Sequence, residues 1–184
     1  MTDKLANGWI QTYSGHKVSL LDPQPNQITI EDIAHALSMV NRYNGHTSFP
    51  YSVATHSRHV SKLLSYDIQL SLDGLLHDAS EAYVGDVSRP LKALMPQYVE
   101  IEQRFSAVIA AKFGLSWPEP ERVKWADVQL LISEKEALLG PEPESWNLPP
   151  QEVRVLITKE SPRESERLFL ERFDMLMRNI KVAA

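Results

Sequence analysis

Four side chains able to bind a divalent cation stand in apolar stretches of this sequence. They are His56 in SVATHSRHVSKLL, the adjacent His77 and Asp78 in SLDGLLHDASEAYVGDV, and Asp127 in VKWADVQLLI. Neutral imidazole and carboxylate are both good donors to a hard or borderline divalent ion. An ionised carboxylate buried without a partner costs several kcal/mol, so such residues require an ion pair, a hydrogen-bond network or a metal. One residue of this kind is ordinarily a satisfied polar group; four of them, each on an apolar segment, are hard to explain independently. The expected grouping is a metal site of two imidazoles and two carboxylates, with positions left for water and substrate. His35 and His59, alone on apolar faces, are expected to be packed, hydrogen-bonded histidines.

Helical periodicity must position these groups. Ile30, Ile33, Ala34, Leu37 and Val40 share one face, with Thr29 ahead of Asp32 as an N-cap. That helix is expected to stop at Asn44–His46, where Asn-Gly favours a turn. Val53, His56, Val60, Leu63 and Leu64 mark a second helix. Leu72, Leu75, Leu76, Ala79 and Tyr83 mark a third that runs through His77 to a C-cap at Gly85, with Pro90 forbidding continuation. On such a helix Glu81 shares a region with His77 and Asp78, while adjacent His77 and Asp78 diverge by about 100°. Further amphipathic helices start near Pro96, after the prolines of PEPERV, and at Ser161-Pro162, the last following a proline-rich loop over 141–150. Residues 1–27 mix β-formers with Gly15, Pro23 and Pro25 and predict a short hairpin or irregular arm. The fold class is all-α: about six helices in a single domain, divided into an arm (1–27), a metal-binding core (28–140) and a loop with a C-terminal helix (141–184). Trp9, Trp117, Trp125 and Trp146 are assigned to core or interface.

Composition narrows the function. The 184 residues contain no cysteine, which excludes disulfides, thiolate nucleophiles and zinc fingers. A net charge of −5 leaves no footprint for duplex nucleic acid. No apolar run approaches the ~20 residues of a membrane span, and the first residues lack the apolar core of a signal peptide. A cytoplasmic protein away from membranes is expected. An anionic substrate must then be drawn by local cations: Arg42, Lys92 and Arg89, with Arg58 and Lys62 further along the His56 helix. That set suits the phosphates of a nucleotide and is too sparse for a long nucleic-acid backbone.

The order His56, His77-Asp78, Asp127 resembles the H…HD…D signature of the HD-domain metal-dependent phosphohydrolases, over roughly residues 28–140. The stretch LLHDASEAYVGDVSRPLK is similar to the branch containing bacterial 5′-deoxynucleotidases and viral dATP triphosphohydrolases. There His-Asp-Ala-x-Glu is followed by a Gly-Asp turn and Pro-x-Lys, matched here by His77, Asp78, Ala79, Glu81, Gly85, Asp86, Pro90 and Lys92. Arg42-Tyr43 resembles that branch's Arg-aromatic pair. The resemblance implies an HD-domain helical bundle with His56, His77, Asp78 and Asp127 on a divalent metal ion (Co2+, Mn2+, Zn2+ or Mg2+). It makes Glu81 the acid/base for the nucleophilic water and Asp86 a second carboxylate near the phosphate or leaving oxygen. Substrate contacts are expected from Arg42, Tyr43, Lys92, Arg89 and Pro90, with the base near Tyr43. The implied activity is hydrolysis of the 5′-phosphate ester of a free deoxynucleotide, releasing the nucleoside with phosphate or triphosphate, by a homo-oligomer (dimer or hexamer). Two other readings stand beside it: a cyclic-nucleotide or guanosine tetraphosphate phosphohydrolase, and a non-catalytic metal or nucleotide sensor.

Overall fold

The computed structural model describes residues 8–183; residues 1–7 of the expected arm, and Ala184, lie outside the described residues. Trp9–Gln11 (β1) and Lys17–Ser19 (β2) form an antiparallel hairpin with Ile10 opposite Val18. Gly15 turns it with a φ of 88°, a conformation that is cheap only without a Cβ. Asp32 fastens the hairpin to the helical body, its carboxylate accepting from the Ser14 N–H and from Ser14 Oγ, both at 2.7 Å.

Six helices of nine or more residues follow: α1 (Ile30–Met39), α2 (Val53–Leu63), α3 (Ile68–Leu76), α6 (Pro96–Phe113), α7 (Glu121–Leu138) and α8 (Pro162–Ala183). The single-turn helices α4 (Glu81–Val84) and α5 (Arg89–Lys92) lie between α3 and α6. The chain is all-α apart from its hairpin. Thr29, Ser52 and Asp67 cap α1, α2 and α3 by accepting from backbone N–H groups in the first turn, and Gly114 closes α6 at a φ of 68°. Among the described residues no helix is long and apolar enough to cross a membrane.

Helix α2 packs against α3, α7 and α8 and so carries the site. Gly74 on α3 meets α2 so closely that a Cβ there would fall 2.9 Å from Leu64 Cδ1 and 3.1 Å from Val60 Cγ1. That approach sets the start of α2, with His56, beside the end of α3, with His77. Val60 and Leu64 also pack with Val123, Ala126 and Leu130 of α7, which brings Asp127 to the same place. The main core lies on the other side, around Ile33, Leu37, Leu72, Leu75, Phe105 and Phe169.

Three expectations differ from the structure. The helix expected to run from Leu72 through Tyr83 breaks at His77, the C-cap of α3. Residues 77–80 form a tight turn closed by Ala79 N–H on the Leu76 carbonyl and Glu81 N–H on the Asp78 carbonyl. Across this turn the side chains of His77 and Asp78 still approach each other, with His77 Nε2 3.1 Å from Asp78 Oδ2. Helix α1 stops at Met39 because the chain leaves it extended to form the bridge Asn41–Ser52. Finally, Trp9, Trp117 and Trp146 are 51%, 52% and 41% exposed, so they are not core residues.

Candidate metal centre and its carboxylate neighbours

His56, fully buried on the first turns of α2, presents Nε2 at 3.2 Å from Asp127 Oδ1 and 3.6 Å from Asp78 Oδ2. His77 Nε2 lies 3.4 Å from His56 Nε2 and 3.1 Å from Asp78 Oδ2. Donor atoms of His56, His77 and Asp127 all fall within 4.8 Å of one another, and Asp78 Oδ2 stands beside both ring Nε2 atoms. The structure thus brings together all four residues that the sequence singled out as ligands.

The opposite edge of each ring fixes what these nitrogens can do. His56 Nδ1 donates to Glu134 Oε1 at 2.6 Å, and His77 Nδ1 donates to the Gly74 carbonyl at 2.9 Å. That carbonyl lies in the last turn of α3, where the helix supplies no partner of its own. With both Nδ1–H groups engaged, each neutral ring turns a lone pair on Nε2 toward the other and toward two carboxylates. Four such donors repel one another unless a cation or protons lie among them. The two-imidazole, two-carboxylate set fits a divalent ion of the hard-to-borderline kind. The Asp78 and Asp127 side chains are 21% and 25% exposed against 0% and 5% for His56 and His77, so solvent reaches the point from the carboxylate side.

Electrostatics follow from the crowding. Burial works to lower the His77 pKa, but the charge and hydrogen bond of Asp78 outweigh it and raise it to about 10. Burial works to raise Asp127, and the hydrogen bond from His56 with the charges of both rings brings it to about 2. In the absence of a cation, a proton on the His77 ring, whose pKa stands near 10, offsets the carboxylate charge of this cluster.

Glu134, which the sequence reading did not single out, is 0% exposed and accepts three bonds. Besides His56 Nδ1 they come from Arg42 Nε at 3.1 Å and from Tyr43 OH at 2.7 Å, both on Oε2. Burial pushes its carboxyl up, yet Arg42 and His56 bring it to about 2. One signal was available: Glu134 stands seven residues after Asp127 on α7, two turns along the same face.

Glu81 opens α4 just beyond the ligand turn and is 5% exposed. Burial, then the charges of Asp78 and Asp86, push its carboxyl up to about 10. Its Oε1 stands 3.6 Å from Lys92 Nζ, while Oε2 is buried without a partner. Asp86 is also raised, first by burial, with Asp78 adding to the shift against Arg42. Lys92 sits on Glu102 at 2.6 Å, so two carboxylates offset its charge. Arg42 holds Nη1 at 3.6 Å from Asp78 Oδ2. Tyr43 and Asn44 both adopt left-handed backbone, φ 57° and 50°, which non-glycine residues favour little.

Other named residues lie apart. Arg89 and Pro90 are exposed on α5, and among the described residues no hydrogen bond or ion pair joins Arg89 to the cluster. Arg58, 5% exposed, pairs with Glu160 in the segment before α8. His35 stacks on Tyr13 and meets Glu166 at 3.3 Å; burial first, then Arg58 and Lys62, lower His59 to about 4. Glu119, which carries no helical pattern, lines a cleft of about 30 Å³ together with His77. Burial raises its pKa, with Asp78 and Asp127 adding to the shift and His77 opposing it.

No family model matches the chain. Over 172 residues it is 35% identical to the protein named uncharacterized protein YfdR from Escherichia coli (strain K12), covering 91% of this chain and 95% of that protein. Over 130 residues it is 40% identical to uncharacterized protein RCAP_rcc00048 from Rhodobacter capsulatus, covering 66% of each.

Proposed function

The chain belongs to the family of the Escherichia coli protein YfdR, and we propose that it is a divalent-metal-dependent phosphohydrolase of the HD-domain type. Its substrate is the 5′-phosphate ester of a free deoxynucleotide. The observation that carries this reading is the convergence of His56 Nε2, His77 Nε2, Asp78 Oδ2 and Asp127 Oδ1, with both Nδ1 atoms already engaged. These four residues would hold a divalent ion, which when bound supplies Lewis-acid polarisation of water and of phosphoryl oxygen.

The surrounding side chains divide the remaining work. Glu81 holds a proton in its buried setting, and Oε2 has no competing partner. Offsetting the Asp78 charge removes one cause of that raised pKa and moves the carboxyl toward the working range. There Glu81 takes a proton from the attacking water and returns one to the leaving oxygen. Asp86, held up by burial and by Asp78, is the second carboxyl for that proton traffic. Lys92 steadies Glu81 through Oε1. Arg42, anchored through Nε, turns Nη1 to the Asp78 side and is the group placed for phosphoryl oxygens.

The test is to strip the protein with chelator, reload it with Mn2+, Co2+, Zn2+ or Mg2+, and follow nucleoside and nucleotide products by chromatography together with orthophosphate, pyrophosphate and tripolyphosphate. The panel holds deoxynucleoside mono- and triphosphates, cyclic nucleotides and guanosine tetraphosphate. Metal-dependent release from a deoxynucleotide is expected. Turnover of cyclic nucleotides alone would overturn the substrate class, and ion binding with no turnover would overturn the enzyme reading.

A further inference from the structure

We infer that Glu134 is the positioning residue that joins the metal ligand His56 to the substrate-facing Arg42, an inference that rests on the metal reading above. Its two carboxylate oxygens do different things. Oε1 accepts from His56 Nδ1, and Oε2 accepts from Arg42 Nε and Tyr43 OH. All three partners are donors, and the carboxylate is 0% exposed, so no water competes for it.

On the metal side, an ionised acceptor on Nδ1 fixes the tautomer: the proton stays on Nδ1 and the Nε2 lone pair faces His77, Asp78 and Asp127. A carboxylate behind a ligating imidazole also raises its basicity and orients the ring. On the substrate side, anchoring Arg42 through Nε leaves the Nη edge toward Asp78, with Nη1 at 3.6 Å from Oδ2. The same carboxylate holds the Arg42–Gly45 turn, in which Tyr43 and Asn44 are left-handed. Backbone held in that region persists only when its surroundings over-determine it. Tyr43 OH on Oε2, Arg42 N–H on the Tyr51 carbonyl and His46 N–H on the Tyr43 carbonyl supply that determination. One buried carboxylate therefore sets the geometry of both halves of the site.

Glu134→Gln tests this because the shape is kept while an acceptor becomes a donor. A glutamine oxygen turned to His56 sets its NH2 against Arg42 Nε–H, donor to donor. Co2+ is titrated into chelator-stripped wild type and variant while visible absorption and circular dichroism are recorded. A 10–100-fold weaker Co2+ affinity with an altered d–d spectrum and an unchanged helical signal is expected. Equal affinity and an identical spectrum would overturn the role of Glu134. Wild type that binds none of Co2+, Mn2+, Zn2+ or Mg2+ would instead overturn the metal reading. If the variant fails to fold, imidazole nitrogen NMR of Zn2+-loaded wild type decides. His56 must carry its proton on Nδ1, shifted downfield by the carboxylate; an Nε2–H tautomer there would overturn the inference.

Discussion

The Nε2 atoms of His56 and His77 stand 3.4 Å apart, each on a ring whose Nδ1 is already engaged by an acceptor. Protons or a cation must therefore occupy the space that Asp78 and Asp127 also face, and the two compete. Burial tends to lower the His77 pKa, but Asp78 raises it from 6.5 to about 10, so without a cation His77 is protonated at neutral pH. Raising the pH removes the competitor. Cation affinity should accordingly climb with pH until about pH 10, where it levels off, by about tenfold per pH unit for each proton displaced. Calorimetry in buffers of different ionisation enthalpy measures the protons released. Affinity that is flat with pH and releases no proton contradicts this.

Glu81 separates chemistry from ligation. Glu81→Gln should keep the metal and lose about 10²–10⁴-fold in rate, because a positioned acid/base is removed. Simultaneous loss of metal and rate would make Glu81 a ligand instead. The same variant changes stability without metal. Burial, with Asp78 and Asp86, raises the folded-state pKa from 4.5 to about 10. The folded chain thus keeps a proton that the unfolded chain releases, and stability present below pH 4.5 is lost as pH rises toward 10. Metal-free Glu81→Gln should melt higher than metal-free wild type at pH 8, with the gain vanishing in acid. Thermal melts at both pH values check it.

Gly74 tests the helix contact that brings the ligands together. A Cβ would meet the buried side-chain atoms Leu64 Cδ1 at 2.9 Å and Val60 Cγ1 at 3.1 Å, so Gly74→Ala should make these side chains repack along the α2–α3 contact and cost about 1 kcal/mol. The variant should also bind metal more weakly, although Gly74 offers no side chain to an ion. Denaturant titration and metal affinity read the two effects. An undiminished affinity would show that this contact does not govern His56 and His77.

Arg42 and Lys92 test the substrate class. Arg42→Ala should reduce kcat/KM far more for deoxynucleoside triphosphates than for p-nitrophenyl phosphate, whose single phosphoryl group offers that guanidinium less charge. Lys92→Ala, which frees Glu81, should instead lower kcat on both. A uniform loss on both substrates in Arg42→Ala would assign Arg42 to fold or metal, in keeping with its Glu134 partner. Preferential cleavage of oligonucleotides would refute the free-nucleotide reading.

The helical faces were legible because their periodicity is undisturbed: Ile33, Ala34 and Leu37 on α1, or Val123, Ala126 and Leu130 on α7, are all buried as their spacing requires. The four convergent metal-type residues were legible for a related reason, since each interrupts an apolar stretch that has no other use for it. The break at His77 was not. No glycine or proline marks it, and it depends on a ring bonding the Gly74 carbonyl of its own helix. Glu134 was hidden in SEKE, a run that resembles a solvated face, although its spacing from Asp127 was there to be counted. The pairing of Lys92 with Glu102 joins α5 to α6 and depends on tertiary packing that no local pattern encodes.

The most direct measurement is metal content beside activity, in wild type and in Asp78→Ala, after chelation and reloading. Asp78 contributes an oxygen 3.1 Å from His77 Nε2 and 3.6 Å from His56 Nε2, yet it is partly exposed and belongs to a turn rather than to the core. Its loss should therefore leave the helical signal intact. The account predicts bound divalent ion and phosphate release from a deoxynucleotide in wild type, and neither in the variant. Full phosphate release by metal-free Asp78→Ala would contradict it.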